Sequence, residues 1–119
     1  MNTRSRVAFF AVTLLSAIFS SPLLASTETG IASIYSGERT ANGEYAHAHA
    51  LTAAHRTLPF GTKVKVTNIG NGQSVVVRIN DRGPYIKGRI IDLTPAGARA
   101  IGFSGLARVQ VAVVSGRST

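Results

Sequence analysis

The segment Thr62-Lys63-Val64-Lys65-Val66-Thr67 alternates polar and apolar side chains, the period-two pattern of a strand with one buried face. Asn71-Gly72 follows, a pair that tolerates the positive φ of a tight turn, and Gln73 to Asn80 returns as a more apolar strand. Together they predict a hairpin. Gly88 to Asp92 predicts a further strand, and Thr94-Pro95 then reads as a helix N-cap with proline at the first helical position. Ala96 to Ile101 is a short helix that Gly102 can close in the left-handed conformation. Val109, Val111 and Val113 alternate through a last strand, Ala107 to Val114, and Ile31 to Tyr35 supplies the first. Residues 26–29 read as a short polar lead and 115–119 as a disordered tail. Many short strands and one or two short helices predict a mainly β fold, a small barrel whose closure protects its strand edges.

The N-terminus changes the size of that domain. Arg4 and Arg6 precede an apolar run from Val7 to Phe19, and Pro22 and Ala25 follow, as in a secretory signal peptide spanning residues 1–25. The run is shorter than the roughly 20 apolar residues a membrane-spanning helix needs. Cleavage after Ala25 leaves 94 of the 119 residues, enough for one small domain. Eleven basic residues then face five acids, a net charge of about +6. Such a surface suits anionic wall polymers, lipid head groups or peptide carboxylates, whereas export and scattered charge argue against nucleic acid. There is no cysteine, so no disulfide holds the domain and no lipid-modified cysteine anchors it.

Five acids are few, and two sit on motif-like turns. Asp81 ends an apolar strand and opens Asn80-Asp81-Arg82-Gly83-Pro84, which fixes one carboxylate at a barrel rim. Its plain alternative is an aspartate that bonds the backbone of its own turn. Arg82 beside it favours the ionised form, suited to a base, while a general acid needs a raised pKa. Glu44 follows the turn signal Asn42-Gly43 and takes part only if loop 36–50 folds over the Asp81 turn. Asp92, two residues before the helix cap, reads as structural, a partner for helix or turn amides, and stands in reserve as a second carboxylate. His47, His49 and His55 suggest a metal site, but nothing local fixes convergent geometry, so no metal or cofactor is expected. His55 is read as a neutral group that orients substrate or carboxylate. Tyr35, Tyr45, Phe60 and Tyr85 could stack on sugar rings or pack the rim.

Gly30-Ile31-Ala32-Ser33-Ile34-Tyr35, Thr40-Ala41-Asn42-Gly43-Glu44, Leu51 through Gly61, Asn71-Gly72, Asn80 through Pro84 and Gly88 through Leu93 resemble, in order, the rare lipoprotein A (RlpA) family. The likeness covers nearly all of residues 30–114. It implies a six-stranded double-psi β-barrel and a lytic transglycosylase acting on peptidoglycan glycan strands stripped of peptides. The family's functional residues fall on Glu44, His55 and Asp81, with Asp81 as acid/base group, Glu44 assisting or stabilising the cation and His55 orienting the site. Tyr35, Arg82 and Tyr85 are expected to contact substrate. The sequence departs from the family in lacking the lipobox cysteine and the SPOR domain, and in a short Tyr35–Thr40 segment. A soluble, periplasmic monomer without a stable membrane anchor is therefore expected, and the missing SPOR domain weakens any claim of septal targeting. The alternatives are an expansin-like wall protein that binds or loosens polysaccharide without cutting it, and a hydrolase in which water attacks. An inverting hydrolase would hold its carboxylates about 6.5–9.5 Å apart.

Overall fold

A computed structural model describes residues 27–35 and 40–116. The expected signal peptide, residues 36–39 of the loop and residues 117–119 of the expected tail lie outside the described residues. Six strands and one helix follow in the order β1 (Thr27–Ile34), β2 (Thr52–Ala54), β3 (Lys63–Asn68), β4 (Ser74–Asp81), β5 (Arg89–Leu93), α1 (Pro95–Ala100) and β6 (Ala107–Ser115). They close into a barrel in the order β1-β5-β2-β4-β3-β6. The β1/β5 and β2/β4 pairs are parallel, and the other four contacts are antiparallel.

The alternation of β3 places Val64 and Val66 inside and leaves Lys63 and Lys65 in solvent. The same logic buries Val77 and Ile79 of β4, Ile91 and Leu93 of β5, and Val109 and Val111 of β6. Ala32, Ala53 and Ile101 complete this core. Each fully buried branched side chain is worth about 1.5–3 kcal/mol, so the interior itself holds the barrel closed. Between β3 and β4 the chain turns over Asn68: its carbonyl accepts from Gly72 N at 2.7 Å, and its amide donates to Gln73 O at 2.8 Å. Gly72 adopts the positive φ expected of it, +79°.

Most expected boundaries shift by one residue at their ends, and three further features stand apart from the sequence reading. β1 begins at Thr27, because Thr27, Glu28 and Thr29 pair with Ala112, Val111 and Gln110 of β6. The polar lead is thus a seam of the barrel. β2 is only three residues, all buried, too short and too uniform to show any alternation. β6 runs to Ser115, one residue into the expected tail. Gly30 meets β5 so closely that a Cβ there would lie 2.6 Å from Ile90 Cγ2. The helix starts as predicted: Thr94 Oγ1 accepts from Gly97 N at 3.3 Å, Pro95 opens the first turn, and Gly102 follows at φ +74°.

Candidate active site

β4 delivers the site. Its last residues, Arg78, Asn80 and Asp81, meet a turn at 40–44 that folds over the end of the strand. The turn closes on itself: Thr40 N donates to Glu44 O at 2.6 Å, and Gly43 N donates to Thr40 O at 3.0 Å. Gly43 sits at φ +95°, where a side chain would be strained. Asn42 Oδ1 accepts from Glu44 N at 3.1 Å, the local side-chain bond that makes asparagine a turn residue. The loop therefore does lie over the Asp81 turn, as the role of Glu44 requires. Asn42 N reaches Asn80 O at 3.3 Å, and Ala41 N reaches Asp81 Oδ1 at 2.7 Å.

Glu44 is held from two sides. Arg78 donates through Nη1 to Oε2 at 3.2 Å and through Nη2 to Oε1 at 3.0 Å, and Asn80 Nδ2 donates to Oε1 at 2.9 Å. The Arg78 fork first, and the Asn80 amide second, lower the Glu44 pKa to about 2, outweighing the opposing effect of burial. Two parallel charge-assisted bonds fix the orientation of this carboxylate as well as its charge. Asn80 is itself fully buried, and its Oδ1 accepts from Tyr35 Oη at 3.3 Å. Tyr35, the residue after β1, thus contacts the site.

Asp81 is half-buried, and its Oδ1 accepts two main-chain amides, Ala41 N and Arg82 N at 2.8 Å. No protein donor to its Oδ2 occurs among the described residues. Arg82 touches the Asp81 side chain through its amide, not its guanidinium. The guanidinium carbon stacks 4.1 Å from the centre of the Phe60 ring, and Nη1 donates to His55 O at 3.2 Å. The electrostatic pairing expected from adjacency in sequence is replaced by a cation–π contact.

His55 approaches Asp81 with its backbone while its ring points elsewhere. His55 N donates to Asp81 O at 3.1 Å. Ring Nδ1 accepts from Thr57 N at 3.1 Å and from Leu58 N at 3.2 Å, and Nε2 lies 2.8 Å from Glu28 Oε1. A cavity of about 330 Å³ lies beside this pair, lined also by Thr57, Leu58, Val111 and Val113. His47 and His49 are exposed, and no group of three metal-ligating side chains converges among the described residues.

Asp92 does not join Glu44. Ala54 on β2 is the register partner of both Asp81 and Asp92, which sets the two aspartate backbones two strands, about 10 Å, apart. Asp92 Oδ1 accepts from the hydroxyl of Ser33 on β1, on the far side of β5 from β4. Its partner is a cross-strand hydroxyl rather than the expected helix or turn amide. Tyr85, after the Gly83-Pro84 turn, is 75% exposed and available to a ligand, and Tyr45 is half-exposed. Arg78 and Glu28 were given no role from sequence, and Asn80 entered only as part of the Asn80–Pro84 motif. The signal for Arg78 and Asn80 was a pair of polar residues at alternate positions in an otherwise apolar strand.

Comparison with known proteins matches residues 27–113 to a family described as "Lytic transglycolase". A Synechocystis protein called "Probable endolytic peptidoglycan transglycosylase RlpA" is 64% identical over 91 residues, covering 71% of this chain and 28% of that protein. "Endolytic peptidoglycan transglycosylase RlpA" of Vibrio cholerae is 50% identical over 95 residues, covering 75% of this chain and 36% of that protein. The chain thus spans about a third or less of the length of such curated relatives. The structure of a Streptomyces papain inhibitor superposes with a TM-score of 0.62 at 21% identity, over 77% of this chain and 97% of that one. That of a Clavibacter michiganensis expansin gives 0.59 at 24%, over 78% and 52%. These two likenesses concern the fold, a double-psi β-barrel. With the family match spanning the barrel from Thr27 to Val113, the chain belongs to the RlpA-type lytic transglycolase family.

Proposed function

We propose that this domain is a lytic transglycosylase that cleaves the bond between N-acetylmuramic acid and N-acetylglucosamine in peptidoglycan, on strands stripped of peptides. The observation that carries the reading is that the 40–44 turn ties two unlike carboxylates to the end of β4, Glu44 through Asn80 and Asp81 through Ala41 N. Glu44, at about 2, remains anionic throughout the pH range of a cell wall and so has no proton to give. Asp81 is pinned by two amides on one oxygen only, which leaves its second oxygen, with no protein donor among the described residues, as the proton-transfer atom in this reading.

In this reading Asp81 protonates the glycosidic oxygen as the bond to muramyl C1 breaks. The developing oxocarbenium charge is met by the fixed anion of Glu44. The muramyl C6 hydroxyl then attacks C1 and returns its proton to Asp81, closing a 1,6-anhydro ring without water. His55 orients Asp81 through the backbone, and Tyr85, Arg82 and Tyr35 border the bound glycan. A periplasmic, monomeric barrel behind a signal peptide at residues 1–25 fits this chemistry.

The test is to incubate wild type and Asp81→Asn with peptide-stripped glycan strands and identify the ends by mass spectrometry. Anhydromuramyl ends from wild type, reduced about 100-fold or more in the variant, are expected. Reducing ends would establish a hydrolase instead. Absence of any product, with the glycan still bound, would leave the expansin-like alternative.

A further inference from the structure

We propose that Glu28 is a positioning residue that sets the Asp81 carboxylate through His55. This rests on the transglycosylase reading for its kinetic consequence but not for its geometry. Glu28 lies on β1, in a segment that reads as a featureless polar lead, yet its Oε1 stands 2.8 Å from His55 Nε2. The His55 ring is buried, with 7% side-chain exposure, while Glu28 remains 41% exposed at the cavity mouth.

The ring has one allowed arrangement of protons. Nδ1 faces two backbone N–H groups, Thr57 and Leu58, and therefore acts as acceptor. In neutral imidazole the proton then sits on Nε2, which donates to Glu28. The two amides thus set the tautomer, the carboxylate holds the ring from its other end, and the ring in turn holds the 55–58 turn. That turn is stitched to the site on both sides of the His55 residue. His55 N donates to Asp81 O at 3.1 Å, and His55 O accepts from Arg82 Nη1 at 3.2 Å. Arg82 N is one of the two amides that hold Asp81 Oδ1. The chain of contacts runs Glu28 to the His55 ring, to the His55 backbone, to Asp81 and Arg82. No titration is needed anywhere along it. The cavity's histidine and carboxylate partner each other.

The test compares Glu28→Leu with Glu28→Gln, whose amide oxygen still accepts from Nε2–H. Three quantities are read: the ¹⁵N signals of the His55 ring, the amide signals of Ala41 and Arg82, and kcat and KM on stripped glycan. In wild type and Glu28→Gln the ring should show the Nε2–H tautomer. Glu28→Leu should keep the Nε2–H tautomer but shift its Nε2 signal through loss of the acceptor, shift both amides, and lower kcat about tenfold or more with KM changed less than about twofold. Glu28→Gln should recover most of kcat. Unmoved amides or an undiminished kcat in Glu28→Leu would overturn the proposal, as would equal loss in both variants, which would indicate a role for charge alone. If Glu28→Leu does not fold, an Nδ1–H ring in wild type or loss of activity in Glu28→Gln overturns it, and the reverse of both upholds it. A wild type that makes no anhydromuramyl product defeats the reaction reading, while the ring and amide signals still decide whether Glu28 positions Asp81.

Discussion

At the scale of single residues, Glu44 and Asp81 show how position rather than residue type sets the partners of a carboxylate. Glu44 faces the side chains of Arg78 and Asn80, whereas Asp81 faces main-chain amides. The depressed Glu44 pKa makes a prediction with a definite sign. Its stabilising contribution is fully present above the usual value of 4.5 and is lost as pH falls through about 2. The pair is half-exposed, so solvent screening keeps that contribution small. Removing the guanidinium is the sharper probe. Arg78→Leu should move the Glu44 titration midpoint up by about 1 pH unit or more, measured from its carboxyl carbon by NMR. An unmoved midpoint would assign the effect to Asn80 instead.

At the scale of elements, short strands and turns work because each is tied to a neighbour distant in sequence. The helix α1 has only six residues and is held by its first turn. Thr94 caps it by accepting from Gly97 N while its hydroxyl donates to Ala50 O in the loop before β2. Thr94→Ala should therefore cost about 0.5–2 kcal/mol in urea unfolding. It should also loosen residues 47–51, seen as faster amide exchange there, which a helix cap alone would not cause. The hairpin, the helix cap and the last strand were legible because alternation, Asn71-Gly72 and Thr94-Pro95 are local signals. β2 was not, since three buried residues carry no period. The start of β1 was not, because Thr27-Glu28-Thr29 owe their strand to pairing with β6 rather than to any apolar face.

For the whole molecule, barrel closure joins the two ends of the described chain, β1 and β6, along one seam. A chain beginning at Gly30 would lose three of the six β1/β6 register pairs, those of Thr27, Glu28 and Thr29. It should melt several degrees lower than one beginning at Thr27, at about 4–8 °C per kcal/mol for a domain of this size. Equal melting temperatures would return those residues to the status of a lead. Sequence by itself determined the core, because a buried face must be apolar at every second position. It also determined the turns, because positive φ selects glycine and asparagine, and it placed Glu44 and Asp81 as candidate carboxylates. Only the tertiary structure decided that Arg78 and Asn80 fix Glu44, that Arg82 turns to Phe60, and that His55 faces Glu28. Those pairings join residues up to 36 positions apart. Chain separation carries no mark of them, since strand order and register, not adjacency, determine which side chains meet.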